Sequence, residues 1–272
     1  VELGARSYEI KIGGGLVTVI AVIGVVPYIA LQLQAVAASL EVLLDHSGAS
    51  FMPSMFDSTF VIAALLAVFT ILFGTRHLDA TERHEGMVAA IAFESVVKLL
   101  AFLAVGLFVT YGMFGGFSEL FQRAAAAPEL ARLLQLDSSR SGTWTALILL
   151  SGLAIICLPR QFQIIVVENV DEAHLRRAVW LFPLYLVVIN IFVLPLALGG
   201  LLHFQGTGVN PDTFVLTLPL ARGAETLALL VFIGGLSAAT GMVIVETIAL
   251  STMVCNDLVM PALLRLRGQA LA

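Results

Sequence analysis

Apolar residues in this chain gather into six long segments, approximately 14–44, 58–75, 86–114, 142–168, 178–203 and 224–260. Shorter, more polar stretches separate them at 45–57, 76–85, 115–141, 169–177 and 204–223. A helix needs roughly 20 apolar residues to cross a bilayer, so the pattern predicts six transmembrane helices forming a single membrane unit over 1–272. The first segment is long and carries Pro27, Tyr28, Gln32 and Gln34, which predicts a tilted or kinked helix. Stretch 115–141 has helical periodicity with charges spaced along it and predicts an interfacial amphipathic helix bent at Pro128. Asn210 to Pro219 reads as a segment that dips into the interface. No tandem repeat, low-complexity tract or soluble linker is present.

One segment violates its own pattern. Ile148 to Glu168 is long enough to span, yet Pro159-Arg160-Gln161 sits in its middle. Proline removes a backbone donor and clashes with the preceding turn, and an arginine at membrane depth costs about 2.5–3.5 kcal/mol on insertion scales. Two such violations side by side favour a helix broken so that it lines a polar cavity. The alternative is a Pro-kinked helix whose Arg160 snorkels to a nearby interface.

Composition agrees with the segment pattern. Of 272 residues, 59% are hydrophobic and 12% charged, with a mean hydropathy of +1.00, values that describe an all-α polytopic membrane protein. The formal net charge of −5 carries little information, because charges in such proteins are read by position. With residue 1 on the cytoplasmic side, the inner segments hold Arg6, Lys11, Arg76, Arg83, Arg176, Arg177, Arg265 and Arg267. The outer ones hold Arg123, Arg132, Arg140 and Arg222. Eight against four places both ends inside. Cys157 and Cys255 both fall in apolar segments, which argues against a disulfide and against a zinc site. The opening Val1 to Lys11 has neither initiator Met nor signal peptide and reads as the end of a cytoplasmic loop, so a longer parent chain is expected.

Polar residues inside the spans are the candidate functional groups. Glu94 and Lys98 lie four apart on one helical face, in the better order for pairing. They form either a titratable pair in a transport pathway or a structural pair that fastens neighbouring helices. In the last segment Ser237, Thr240, Thr247 and Ser251 share a stripe, read first as a close-packing surface and alternatively as a cation or substrate site. Glu246 lies off that stripe with Met242, Met253 and Asp257, so it needs a partner from another helix. The loop around His77, Asp79, Glu82, His84 and Glu85 lacks the His-Glu-x-x-His pattern and reads as a self-paired cytoplasmic turn.

Taken together, Thr75 to Gly86, Phe93-Glu94-Ser-Val-Val-Lys98, Leu158-Pro-Arg-Gln-Phe-Gln163 and Ser237 to Leu258 resemble the sodium:solute symporter family. The likeness is greatest to the transporter domain of CbrA-like sensor histidine kinases. It implies a partial LeuT-like inverted-repeat bundle holding about core helices 3–8 of ten, with 142–168 as the core helix that family members break at the substrate site. It also implies an amino-acid solute, with histidine suggested first, and a kinase domain in the same chain acting on a response regulator. A multi-pass position in the bacterial inner membrane follows. Pro159, Arg160 and Gln161, with Tyr28 and Gln32, become the substrate-binding candidates, Arg160 meeting a carboxylate. Glu94, Lys98, Ser237, Thr240 and Glu246 become the coupling-ion or proton candidates.

Two departures from the family pattern bear on coupling. Gly241-Met242 stands where sodium-coupled members carry a Ser-Thr pair, and a thioether is a poor ligand for a hard cation. The family's Thr-Asp-x-x-Gln is absent around Glu82-Arg83-His84-Glu85. A proton is therefore favoured over sodium, with Lys98, Glu94 or Glu246 titrating. The functional expectation is a symporter-like domain that couples solute binding or transport to two-component signalling; a stand-alone cation or proton:solute symporter is the alternative. This segment is not read as an enzyme, because it carries nothing catalytic for phosphotransfer, and an intramembrane protease reading finds neither His-Glu-x-x-His in a span nor a mid-span histidine base. No cofactor, metal or nucleic-acid partner is expected, and the lipid bilayer is.

Overall fold

The computed structural model describes residues 2–48, 58–73, 85–134, 141–169 and 171–270, and every element in them is helical. Helix α1 (Glu2–Ser47) runs 46 residues with Pro27 inside it, about 69 Å at 1.5 Å per residue. Helix α2 (Ser58–Phe73) follows, then α3 (Glu85–Leu107), which continues as a π-helical stretch over Phe108–Met113. Two short helices, α4 (Phe117–Ala126) and α5 (Pro128–Leu133), lead to α6 (Ser141–Cys157) and α7 (Pro159–Phe162), the latter running into a π-helical Gln163–Val167. Next come α8 (Glu172–Asn190), α9 (Val193–His203), a 3-10 turn at Pro211–Thr213 and α10 (Phe214–Ala221). Helix α11 (Glu225–Met253), a third π-helical stretch at Val254–Val259 and α12 (Met260–Ala270) complete the order.

Four helical runs are long and apolar enough to cross a membrane: Gly13–His46, Val88–Met113, Glu172–His203 and Glu225–Leu264. The bent pair Gly142–Ile155 and Pro159–Val167 makes a fifth if it counts as one span. The six expected spans thus become four or five among the described residues. Helix α2 has the apolar composition but only 16 residues, about 24 Å against a hydrocarbon core of about 30 Å. The polar loop that follows it, with His77, Asp79, Glu82 and His84, lies outside the described residues, as does the side chain of Glu85. These helices fit a multi-pass membrane protein. Their apolar surfaces face outward on α6 and α8, where Ile148, Leu149, Leu150, Val179 and Trp180 (80% exposed) point away from the protein.

The core gathers where α3 and its π-helical end meet α4, α9 and α10. Val105, Val109, Leu120, Leu198 and Leu218 are fully or almost fully buried there. Within the amphipathic 115–141 stretch, of which 135–140 lie outside the described residues, Phe117–Ala126 and Pro128–Leu133 are helical, with α4 turning Leu120 and Ala124 inward. Its Arg123 pairs with Glu119 one turn earlier. The bend falls at Ala127, whose extended backbone is the conformation a following proline imposes. The stretch Asn210 to Pro219 differs from expectation. Instead of dipping into an interface, α10 buries Phe214, Leu216, Leu218, Pro219 and Leu220 in the protein. Arg176 and Arg177, expected in a loop, lie inside α8, because the Asp171 side chain accepts from the Ala173 N–H at 2.8 Å and starts the helix early.

The broadest helix seam joins α3 to α11, and small residues make it close. Gly234 sits against Ala101, whose Cβ lies 2.9 Å from where a Cβ on Gly234 would stand, and a Cβ on Gly241 would strike the Glu94 carboxylate. The close-packing stripe of α11 is therefore Gly234, Ala238 and Gly241, rotated from the hydroxyl stripe read in the sequence. Thr240, Thr247 and Ser251 are half-buried and donate to carbonyls of their own helix, those of Leu236, Val243 and Ile248 at 2.7–2.9 Å. That satisfies their polarity without a neighbour. Gly234→Ala should destabilise the fold by about 1–3 kcal/mol through overpacking, whereas Gly235→Ala, which meets open space, should change it by less than about 0.5 kcal/mol. Unfolding in mixed detergent–SDS micelles measures both, and equal losses would contradict the seam.

Candidate functional site

The helix across Ile148–Glu168 is broken at one residue. Leu158 takes an extended backbone (φ −72°, ψ 130°), and Pro159 opens α7 at a position where its missing N–H leaves no bond unmade. The Leu158 carbonyl accepts from the N–H groups of Gln161 and Phe162, both at 3.0 Å, while its own N–H still donates to Ala154 at 3.1 Å. Backbone polarity is thus satisfied on both sides of a 42° bend. The bend places Arg160 against the middle of the molecule.

Arg160 reaches two other helices. Its Nε lies 3.6 Å from Glu246 Oε1 on α11, and its Nη1 donates to the Tyr28 hydroxyl on α1 at 2.8 Å. The guanidinium carbon also sits 5.1 Å from the Tyr28 ring centroid, a cation–π contact. The Tyr28 hydroxyl donates in turn to Met242 Sδ at 3.2 Å. One hydroxyl therefore ties α7, α1 and α11 together.

The pair is unevenly solvated and incompletely bonded. The Glu246 side chain is 2% exposed and that of Arg160 21%. Among the described residues Arg160 Nε and Glu246 Oε2 are buried without a hydrogen-bond partner, and the 3.6 Å from Nε to Oε1 makes an ion pair but no hydrogen bond. A charge pair in such surroundings persists because either charge alone is far more expensive to bury. An unpartnered donor thus lies beside an unpartnered acceptor among the described residues.

A cavity of about 300 Å³ adjoins this cluster between α1, α3, α11 and the 3-10 turn. Met242 belongs to both, accepting from Tyr28 and lining the cavity. Gln32, one turn beyond Tyr28 on α1, lines it, and so do Lys98, Asp212 and Thr213. Among the described residues Glu94 and Lys98 make no direct ion pair, although the Lys98 charge acts on the Glu94 carboxylate. Glu94 is buried in the seam against Gly241, while Lys98 lines the cavity one turn on.

The sequence candidates thus divide. Tyr28, Arg160 and Glu246 come together, Pro159 makes the break that allows it, and Gln32 and Lys98 meet at the cavity. Gln161 is half-buried beside the break, and among the described residues its side chain bonds to none of the charged groups. Ser237 is half-buried and Thr240 is bonded along its own helix, so neither joins the charged cluster. Sequence reading missed Met242 as an acceptor and Asp212 as a cavity residue, because the first role arises from a contact 214 positions apart and the second from helices packed beside the 3-10 turn. It also missed buried Thr18, whose hydroxyl donates to Asp257 at 2.8 Å and pins α1 to the π-helical end of α11. Among the described residues no group of three or more His, Cys, Asp or Glu side chains could hold a metal ion. Cys157 and Cys255 are free.

No protein-family model, no curated protein and no solved structure matches this chain. Arg160→Gln or Glu246→Gln alone should lower stability by about 3–5 kcal/mol, the penalty of leaving one buried charge unpaired. The double variant should lose markedly less than the sum of the two. A double-mutant cycle in detergent–SDS unfolding measures the coupling, and simple additivity would mean the two groups do not interact.

Proposed function

We propose that this chain is a symporter-like membrane domain of the sodium:solute symporter type, which binds an amino-acid solute and couples that event to a conformational change. The observation that carries the reading is the buried Arg160–Glu246 pair at the helix break. Ionisable groups at membrane depth are expensive, and where they persist they mark substrate, ion or proton paths. Discontinuous helices at such a site are the device by which many transporters expose backbone and charge to a solute.

The pair acts as a latch. When closed, Arg160 holds Glu246 on α11 and Tyr28 on α1, so the broken helix is fastened to both. A proton arriving at the unpartnered Oε2 of Glu246 removes the negative charge and leaves Arg160 with Tyr28 alone. The guanidinium is then free to meet a solute carboxylate, for which its planar fork is suited. Loss of the α7–α11 tie frees the broken helix to move. Coupling is to protons rather than sodium, in keeping with Gly241-Met242 at the position of the family's Ser-Thr pair.

The wider setting is proposed on the resemblance alone. The segment lies in a bacterial inner membrane with both ends cytoplasmic, and a histidine kinase in the same chain reads the conformational change and passes it to a response regulator. The segment itself catalyses no phosphotransfer.

Proteoliposomes test the latch. Uptake of labelled L-histidine should rise with an inward proton gradient and ignore a sodium gradient. Glu246→Gln should flatten the pH dependence by about tenfold or more, within the usual range of coupling energies, and Arg160→Gln should abolish uptake. If Glu246→Gln, Glu94→Gln and Lys98→Gln all leave proton-driven uptake intact, proton coupling through these groups is wrong.

A further inference from the structure

Arg160 is occupied by Glu246 and Tyr28; Lys98 is not occupied by anything comparable. It sits half-buried within the span Val88–Met113, and among the described residues its ammonium group makes no hydrogen bond or ion pair. Glu94, one turn earlier, is close enough for its charge to be felt but is turned into the α3–α11 seam. Lys98 instead lines the 300 Å³ cavity. A lysine head group in apolar surroundings demands an anionic or accepting partner, and none of the described residues supplies one by direct contact.

The remainder of the cavity narrows what that partner is. Its walls are mostly apolar, with Phe102, Leu216, Val231 and Phe232 among them, and its polar groups are few. Gln32 offers both amide donor and acceptor from α1. Asp212 lines the cavity from the 3-10 turn, where the Asp212 N–H is capped by Asn210 Oδ1 at 3.1 Å and its carboxylate makes no hydrogen bond or ion pair among the described residues. A half-buried cation and an exposed carboxylate on the wall of a mostly apolar pocket match a solute bearing both charges. A volume of about 300 Å³ lies at the small end of ligand pockets.

From this we infer that the cavity between α1, α3, α10 and α11 is a binding site for a small zwitterion, its carboxylate received by Lys98 and its ammonium group drawn to Asp212. The inference rests on the reading of the chain as a solute-binding membrane domain and names the pocket and the charge pattern of its ligand. It places first capture of the solute beside the latch rather than on it. Met242 is the shared wall, so a filled cavity presses on the residue that holds the Tyr28 hydroxyl.

The test is calorimetric titration of the full chain in nanodiscs with L-alanine and with propionate, which has the carboxylate but no ammonium group. L-alanine should bind, and propionate about tenfold more weakly or worse. Lys98→Gln should weaken L-alanine by about tenfold or more, as the loss of a charge-assisted hydrogen bond does, while Lys98→Arg restores most of it. Asp212→Asn should erase the preference for L-alanine over propionate. Gly235→Leu adds bulk to a cavity-lining position that now meets open space and should block binding without touching either charge. Unchanged L-alanine binding in both Lys98→Gln and Gly235→Leu overturns the site, as does the absence of any heat with either probe. If Arg160→Gln alone removes binding, the ligand sits at the break, and this inference fails while the latch stands. Binding that depends on Lys98 alongside uptake indifferent to Glu246 would support the cavity site and overturn the latch.

Discussion

Everything distinctive in this molecule depends on how it keeps two opposite charges in a place where neither survives alone. Glu246 is almost wholly buried, and the countercharge beside it, Arg160, comes from a helix that must first break to deliver it. Had 142–168 been continuous, Arg160 would project from the middle of a straight span with only backbone and lipid around it. The extended Leu158 and the proline after it turn the chain by 42°, and the guanidinium lands between α11 and α1. The Tyr28 hydroxyl completes the arrangement, accepting from Arg160 while donating to Met242.

The same shortage of polar partners shapes the rest of the interior. With few hydrogen-bonding neighbours inside the spans, the hydroxyls of α11 bond back to their own helix, and adhesion between α3 and α11 falls to glycine and alanine. Where lipid contact is expected, large apolar side chains face outward, as along α6 and along α8 beyond its charged first turns. Close packing and charge pairing therefore divide the work: small residues hold α3 on α11, while Arg160 holds the broken helix there. The first kind of contact is fixed by shape, and the second is reversible, because removing one charge removes the reason for the other to stay. That reversibility is what makes the cluster suitable for coupling in the proposed function.

Apolar patterning was enough to read the chain as a multi-helix membrane protein and to locate its anomalies. Runs of apolar residues can only be helices in lipid, since no water is present to satisfy an open backbone; proline and arginine in adjacent positions announce a break wherever they occur in such a run. From helical spacing alone, Glu246 had to find its partner on another helix, and it does. Tertiary structure decided which partner, and spacing could not have done so, because Arg160 and Glu246 lie far apart in the chain and meet only through a bend. It also gave Glu94 and Lys98, which spacing had joined, different surroundings without ending their electrostatic contact: Gly241 leaves room for the carboxylate, and the ammonium-bearing Lys98 lines the cavity. The inward folding of α10, which carries apolar residues past an Asn-Pro start, was invisible for the same reason. A short apolar helix reads alike at an interface and in a core; only the helices packed around it settle which one it joins.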